Sequence, residues 1–234
     1  MIIYALIPAR SKSKRLKDKN IKNLLGLPLF MHSINFARKL TFIDKIIFST
    51  DSSKYIQLVK NKKNIIFHKR SKEASADNAM EEDILLDLYK YFKKNKIEKP
   101  EALLWLRPTS PLRSLLSFQK AFNLFKKNRK TVMIVHKEES RLFKKKGLNL
   151  LPIQNNMRYR SMVRSQDCEP FFSIFSGEFF FLKNKINKKF LGDKLNFIVT
   201  NKYTKFDIDT DEDFKILNNL LTSNKKIYKK FIHV

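Results

Sequence analysis

Ile2-Ile3-Tyr4-Ala5-Leu6-Ile7, followed by Pro8-Ala9-Arg10-Ser11-Lys12-Ser13-Lys14-Arg15-Leu16-Lys17-Asp18-Lys19-Asn20, is an aliphatic run that breaks into a basic loop. Six apolar residues in a row, ended by a proline, read as a strand covered on both faces, the kind found inside a parallel sheet. Similar short runs recur at 45–49, 64–68, 102–106 and 131–136, and again at 179–182 and 196–199. Between them the spacing turns helical. Leu115, Phe118, Phe122 and Phe125 mark one apolar face, as do Leu85, Leu88 and Phe92, and near the end Phe214, Leu217 and Leu221. These stripes are assigned to the core.

Such alternation predicts an α/β fold with a doubly wound, mostly parallel sheet and right-handed crossovers. Ligands bind these sheets beyond the carboxyl ends of the strands. Chemistry is therefore expected in loops 8–20, 49–53, 69–79 and 107–113. From 137 to 176 the alternation lapses through a stretch rich in Lys, Arg, Asn and Ser, too long for an ordinary loop. It is expected to be a small inserted arm for substrate or oligomer contact, within a single domain spanning 1–234.

Composition narrows the function. Basic residues number 49 against 22 acidic ones, a net charge of +27, while 43% of the chain is hydrophobic. That much apolar material can bury a core, which excludes a disordered tail or a coiled coil as the main body. Of the basic residues 38 are lysines, spread along the chain and often at helix ends, as at Lys93-Lys94 and Lys126-Lys127. They read as solvated side chains of a compositional bias rather than a nucleic-acid or lipid surface. The excess charge still raises the encounter rate with a polyphosphate. A lone Cys168 and four scattered histidines cannot assemble a zinc cluster, so any metal must sit on carboxylates. The apolar stretch 170–182 is interrupted and falls short of the ~20 residues a membrane helix requires. The opening run reads as a strand rather than a signal peptide. The expected compartment is the cytoplasm, with no membrane contact.

Three segments carry chemistry. The first loop packs six basic residues into thirteen positions. It has the charge to wrap a triphosphate, although a solvated basic loop explains the spacing equally well. It is no Walker loop, since no glycine precedes Gly26. The second segment, Asp207-Ile208-Asp209-Thr210-Asp211-Glu212-Asp213, splits in two. In extended chain Asp207 and Asp209 share a face and suit one divalent cation. Thr210 reads as a helix N-cap, with Asp211 to Asp213 favoured in the first turn. In the third, Leu103 to Arg113, a buried strand turns at Pro108 and Pro111 to offer Arg107, Thr109, Ser110 and Arg113, groups suited to an acidic, hydroxylated ligand.

Together these segments resemble the acylneuraminate cytidylyltransferase family, the enzymes that make CMP-sialic acids and their CMP-linked relatives. The matching stretches are Ile7-Pro8-Ala9-Arg10-Ser11 through Lys19-Asn20, Phe48-Ser49-Thr50-Asp51, Pro108-Thr109-Ser110-Pro111-Leu112-Arg113, and Asp207-Ile208-Asp209-Thr210-Asp211. The resemblance implies a nucleotide-diphospho-sugar transferase fold whose inserted arm makes a homodimer. It implies that Arg10, Ser13, Lys14 and Lys19 grip the triphosphate of CTP, that Asn20 meets the ribose, and that Arg70 and Asp77 lie near the cytidine. Arg107, Thr109, Ser110 and Arg113 would face the sugar acid, joined by Gln166 and by Lys144, the latter from the same or the partner subunit. Asp207 and Asp209 would hold Mg²⁺ and, with Arg10 and Lys19, form the catalytic set.

The implied reaction is attack of the anomeric hydroxyl of a 2-keto sugar acid on the α-phosphorus of CTP, with pyrophosphate leaving. The chain departs from the family pattern at Lys12 and Arg15, where glycines are common, at Arg107, where glutamine is frequent, and at Phe175-Ser176-Gly177, where an Asn-Gly pair is usual. Two alternatives stand beside this reading. One is a ketodeoxyoctonate or other sugar cytidylyltransferase, and the other is a basic, non-catalytic nucleic-acid-binding protein.

Overall fold

Strand β1 (Ile3–Pro8) sets the architecture by alternation: Ile3, Ala5 and Ile7 enter one apolar cluster, Tyr4 and Leu6 the cluster on the opposite face, and all five are fully buried. The computed structural model describes residues 1–158, 160, 162–184 and 186–233, leaving the side chains of 175 and 227 undescribed. After β1 come β2 (Asn23–Leu24), β3 (Leu27–Pro28), α1 (Leu29–Arg38), β4 (Lys45–Thr50), α2 (Ser53–Gln57), β5 (Ile65–Lys69), α3 (Glu81–Lys94) and β6 (Ala102–Trp105). The second half runs α4 (Leu115–Asn128), β7 (Val132–Lys137), β8 (Phe143–Lys146), β9 (Asn149–Pro152), β10 (Phe172–Phe181), β11 (Asn196–Val199), α5 (Asp211–Ser223) and α6 (Lys225–Tyr228).

Seven strands form one sheet in the order β11-β7-β10-β6-β1-β4-β5. β1 pairs in parallel with both β4 and β6, β4 with β5, and β7 with β11. Only β10 runs against its neighbours. The fold is thus mixed α/β with a mostly parallel sheet. Residues of α1 and α4, among them Phe30, Phe36, Phe118 and Phe125, cover one face, and Leu85, Leu88 and Phe92 of α3 cover the other. A third cluster joins Leu217 and Leu221 of α5 to Leu16, Leu112 and Ile208, three residues from the chemistry-bearing loops.

The expected strands all form, with one extended and reversed. The run 179–182 is the end of a ten-residue antiparallel strand that starts at Phe172. Its register shifts between Ser173 and Gly177. There the chain runs so close to its neighbours that a Cβ on Gly177 would stand 3.0 Å from the Trp105 carbonyl oxygen and 3.1 Å from the Phe118 ring. The irregular stretch preceding it, largely outside the sheet, contains the β8–β9 hairpin, with Leu148 and Leu150 exposed. Helix α1 is buried at eight of its ten residues, with Phe30, Ile34 and Ala37 at i, i+4 and i+7 facing the core.

Candidate active site

β1 lies between β4 and β6, and the chain leaves it first toward β4 and only later toward β6. That reversal of strand order opens a crevice at the carboxyl ends. A cleft of about 710 Å³ occupies it, lined by Arg10, Ser13, Lys14, Lys19 and Asn20 from the first loop, by Arg70 and Asp77, by Arg107 and Thr109, and by Asp207 and Asp209.

The first loop is held from below. Asp51, just after β4, accepts the Ser11 N–H at 2.8 Å and the Ser11 hydroxyl at 2.7 Å. Burial opposes ionisation of Asp51, but those two bonds and the nearby Arg70 keep its carboxyl below the usual range. Asn20 Nδ2 donates to the Arg10 carbonyl at 2.8 Å, so part of its role is to fix the loop. Lys12 and Arg15 keep ordinary φ; the left-handed turn falls at Asp18 (φ 53°), a residue type that tolerates it. The loop therefore closes without glycine.

The basic side chains are parked on carboxylates. Asp77 receives Arg10 Nη1 at 3.1 Å and Lys14 Nζ at 2.6 Å, which hold its carboxyl below the ordinary range, Lys14 most strongly. Asp209 receives Lys19 Nζ at 2.9 Å and Arg15 Nη1 at 2.8 Å. The pairs of Asp77 and of Arg15 lie at the wet surface of the cleft, where an ion pair is cheap to exchange, so phosphate oxygens can replace those carboxylates without a large penalty, while Lys19 is part-buried against Asp209.

Asp207 and Asp209 share the cleft wall, while Ile208 between them is buried in the third cluster. Ile208 N–H bonds the Thr109 carbonyl at 2.9 Å, and the Ser110 hydroxyl donates to Asp207 Oδ1 at 3.3 Å. The acidic segment is thereby laced to the Pro108–Pro111 turn. Thr210 and Asp213 form a reciprocal capping box at the start of α5, and Asp211 pairs with Lys22 and Lys215. Those acids are structural, as their position predicts.

The sugar-side expectations divide. Arg107 and Thr109 line the cleft, but Ser110 and Arg113 do not. Ser110 is 1% exposed and Arg113 is fully buried. Arg113 Nη2 donates to the Arg107 carbonyl at 2.6 Å and Nε to the Ser176 carbonyl at 3.4 Å, so the side chain braces the turn from behind. Burial pulls its pKa down to about 9, with Arg107 adding to the effect. Lys144 and Gln166 are exposed on the inserted stretch and do not line this cleft. Glu178, unforeseen because a glutamate in an aromatic strand looks like an outward-facing residue, is 3% exposed and accepts Arg107 Nη1 at 2.7 Å. Burial raises the Glu178 pKa against the pull of Arg107.

Among the described residues no three His, Cys, Asp or Glu side chains gather as a metal cage. The Asp207 and Asp209 pair still fits Mg²⁺, which takes one or two carboxylates and fills its remaining positions with water and phosphate oxygens.

Residues 4–167 match the protein-family model described as Cytidylyltransferase. The chain is 26% identical to the post-translational flagellin modification protein B of Campylobacter coli, over 98% of this chain and 99% of that one. It is 33% identical to the CMP-N,N'-diacetyllegionaminic acid synthase of Legionella pneumophila over 58% of each chain. Among solved structures, a CMP:2-keto-3-deoxy-manno-octonic acid synthetase complexed with CTP superposes with a TM-score of 0.66 at 12% identity, covering 96% of this chain and 100% of that one.

Proposed function

The chain belongs to the cytidylyltransferase family, and from that premise we propose that it joins CTP to a nonulosonic, sialic-type sugar acid, releasing the CMP-sugar and pyrophosphate. The observation that carries the reading is the meeting of the first basic loop with Asp209 in one cleft at the strand ends. The relative named for CMP-N,N'-diacetyllegionaminic acid synthesis supports a nonulosonic acceptor. Family membership sets aside the non-catalytic nucleic-acid-binding alternative.

Attack of a hydroxyl on the α-phosphorus demands placement of two anions and neutralisation of the charge that develops. Arg10, Lys14 and Lys19 are placed to pass from Asp77 and Asp209 to the phosphates and to stabilise the leaving pyrophosphate. Ser13 and Asn20 complete the nucleotide side, and Arg70 stands on the wall assigned to the base. Arg107 and Thr109 form the wall assigned to the sugar acid. Asp207 and Asp209 would hold Mg²⁺, which supplies positive charge against the phosphate oxygens.

Two further parts belong to the same proposal. The inserted stretch makes a homodimer, supported by its exposed Leu148, Leu150 and Met162, and Lys144 and Gln166 serve a cleft across that interface. The enzyme works in the cytoplasm, where CTP is available; among the described residues no helix is long and apolar enough to cross a membrane.

The test is pyrophosphate release from CTP and Mg²⁺ with a panel of sialic, legionaminic, pseudaminic and ketodeoxyoctonic acids. Turnover is expected with an acid of the first three types. Turnover of ketodeoxyoctonic acid alone, or of none, would overturn the assignment.

A further inference from the structure

Ser49, His68 and Asp87 lie behind the nucleotide wall, and the proposed reaction uses none of them. Ser49 and His68 are fully buried. Arg70 Nε donates to Ser49 Oγ at 2.8 Å, and Arg70 Nη2 to the Ser49 carbonyl at 3.2 Å. The same Ser49 Oγ stands 2.9 Å from His68 Nδ1. On the far side of the ring, His68 Nε2 is 3.1 Å from Asp87 Oδ2 in a bent approach. Asp87 Oδ2 also accepts the Ser71 N–H at 2.9 Å, at the root of the loop that carries Asp77.

The protons of this chain have one consistent arrangement. A guanidinium only donates, so Ser49 Oγ accepts from Arg70; a proton on His68 Nδ1 would leave the bare Nε2 lone pair facing the Asp87 carboxylate at 3.1 Å, so Ser49 gives its own hydrogen to Nδ1. The proton of the neutral imidazole then sits on Nε2, facing the Asp87 carboxylate. Burial pulls the His68 pKa down to about 4 despite Asp87, which keeps the ring neutral at pH 7 as this wiring requires.

We propose that Ser49, His68 and Asp87 are positioning residues that hold the Arg70 guanidinium in a single orientation at the cleft before the nucleotide arrives. The proposal rests on the reading of the cleft as a CTP site. A long side chain frozen only upon binding would weaken affinity by the entropy lost at that moment; one frozen in advance does not. The chain also joins β4, β5 and α3, and a purely structural role would appear in stability without singling out CTP.

Two variants separate these roles. His68→Phe keeps a ring and removes the hydrogen bond with Ser49 and the Asp87 contact, while Ser49→Ala removes the relay oxygen. Each is expected to raise the KM for CTP about tenfold, the scale of one hydrogen bond to a charged group, with kcat and the sugar-acid KM changed less than about twofold. Adding His68→Phe to Arg70→Ala should cost nothing beyond Arg70→Ala alone, because the chain acts through Arg70. Nitrogen-15 spectra of the unmodified protein should place the His68 proton on Nε2. A proton on Nδ1, an unchanged CTP KM in folded His68→Phe, or additive losses would each overturn the proposal. If the unmodified enzyme turns over no sugar acid, the functional reading fails, and CTP titration of the variants with the tautomer assignment still decides this one.

Discussion

Lys19 Nζ lies 2.9 Å from Asp209 Oδ1, although 190 residues separate the two in sequence. The contact brings the basic loop after the first strand and the acidic segment before α5 to one rim. The proposed ligands, a nucleoside triphosphate and a divalent cation, need those opposite charges side by side, and the contact between the two segments provides them.

Asp209→Ala removes a carboxylate assigned to Mg²⁺ and releases Lys19 and Arg15. Magnesium-dependent pyrophosphate release is expected to be abolished, while circular dichroism and melting temperature stay close to the parent. A normal rate would remove the metal assignment.

Arg10→Ala deletes a guanidinium that Ala76 and Asp77 hold at the mouth of the cleft. The loss of one charge-assisted contact, ~1.5–3 kcal/mol, should weaken CTP binding about ten- to a hundredfold. Titration calorimetry measures it; unchanged affinity would contradict the loop's role as a phosphate cradle.

All four histidines, His32, His68, His136 and His233, have their pKa pulled down from 6.5 to about 4, chiefly by burial. The unfolded chain therefore takes up these protons first as pH falls from 6.5 toward 4. Stability present at neutral pH is lost through that window, with a slope of up to about 1.4 kcal/mol per pH unit for each histidine. A melting temperature that is flat from pH 7 to pH 4.5 would refute this.

Gly177→Ala places a methyl group 3.0 Å from a backbone oxygen that cannot move aside freely. A loss of ~1–3 kcal/mol in unfolding free energy is expected from the overpacking. Denaturant titration reads it, and wild-type stability would show that the β10 irregularity yields easily.

Leu148→Asp combined with Leu150→Asp puts charge on the exposed hairpin. Light scattering should report the proposed homodimer for the parent and a monomer for the variant; a monomeric parent would remove the dimer proposal. A dimer that survives both changes would locate the interface elsewhere.

The parallel strands were legible in the sequence as apolar runs, most of them covered on both sides, with the edge strand β11 leaving Phe197 and Val199 exposed, and the run 2–7 with its basic loop was enough to locate the cleft. Other parts had no local signal. Helix α1 is buried nearly all round, and its short Phe30, Ile34, Ala37 face is interleaved with the buried polar residues His32 and Ser33. Arg113 looks like a surface or ligand-facing residue by type, yet the turn at Pro108 and Pro111 buries it against Phe36, with its guanidinium carbon 5.5 Å from the ring centre. The direction of β10 depends on which neighbour it meets, and the composition of 172–181 does not encode that. Glu178 follows from the same blindness: only its pairing with Arg107 explains an acid inside an aromatic strand.

Because β10 alone runs backward, the segment between β7 and β10 both departs from and returns to the end of the sheet where the cleft opens. Insertions there hang from the working edge like a handle on a drawer, and they can lengthen, shorten or change partner without threading through the interior. A change in the length of this appendage therefore leaves the register of the parallel strands beneath it as it is.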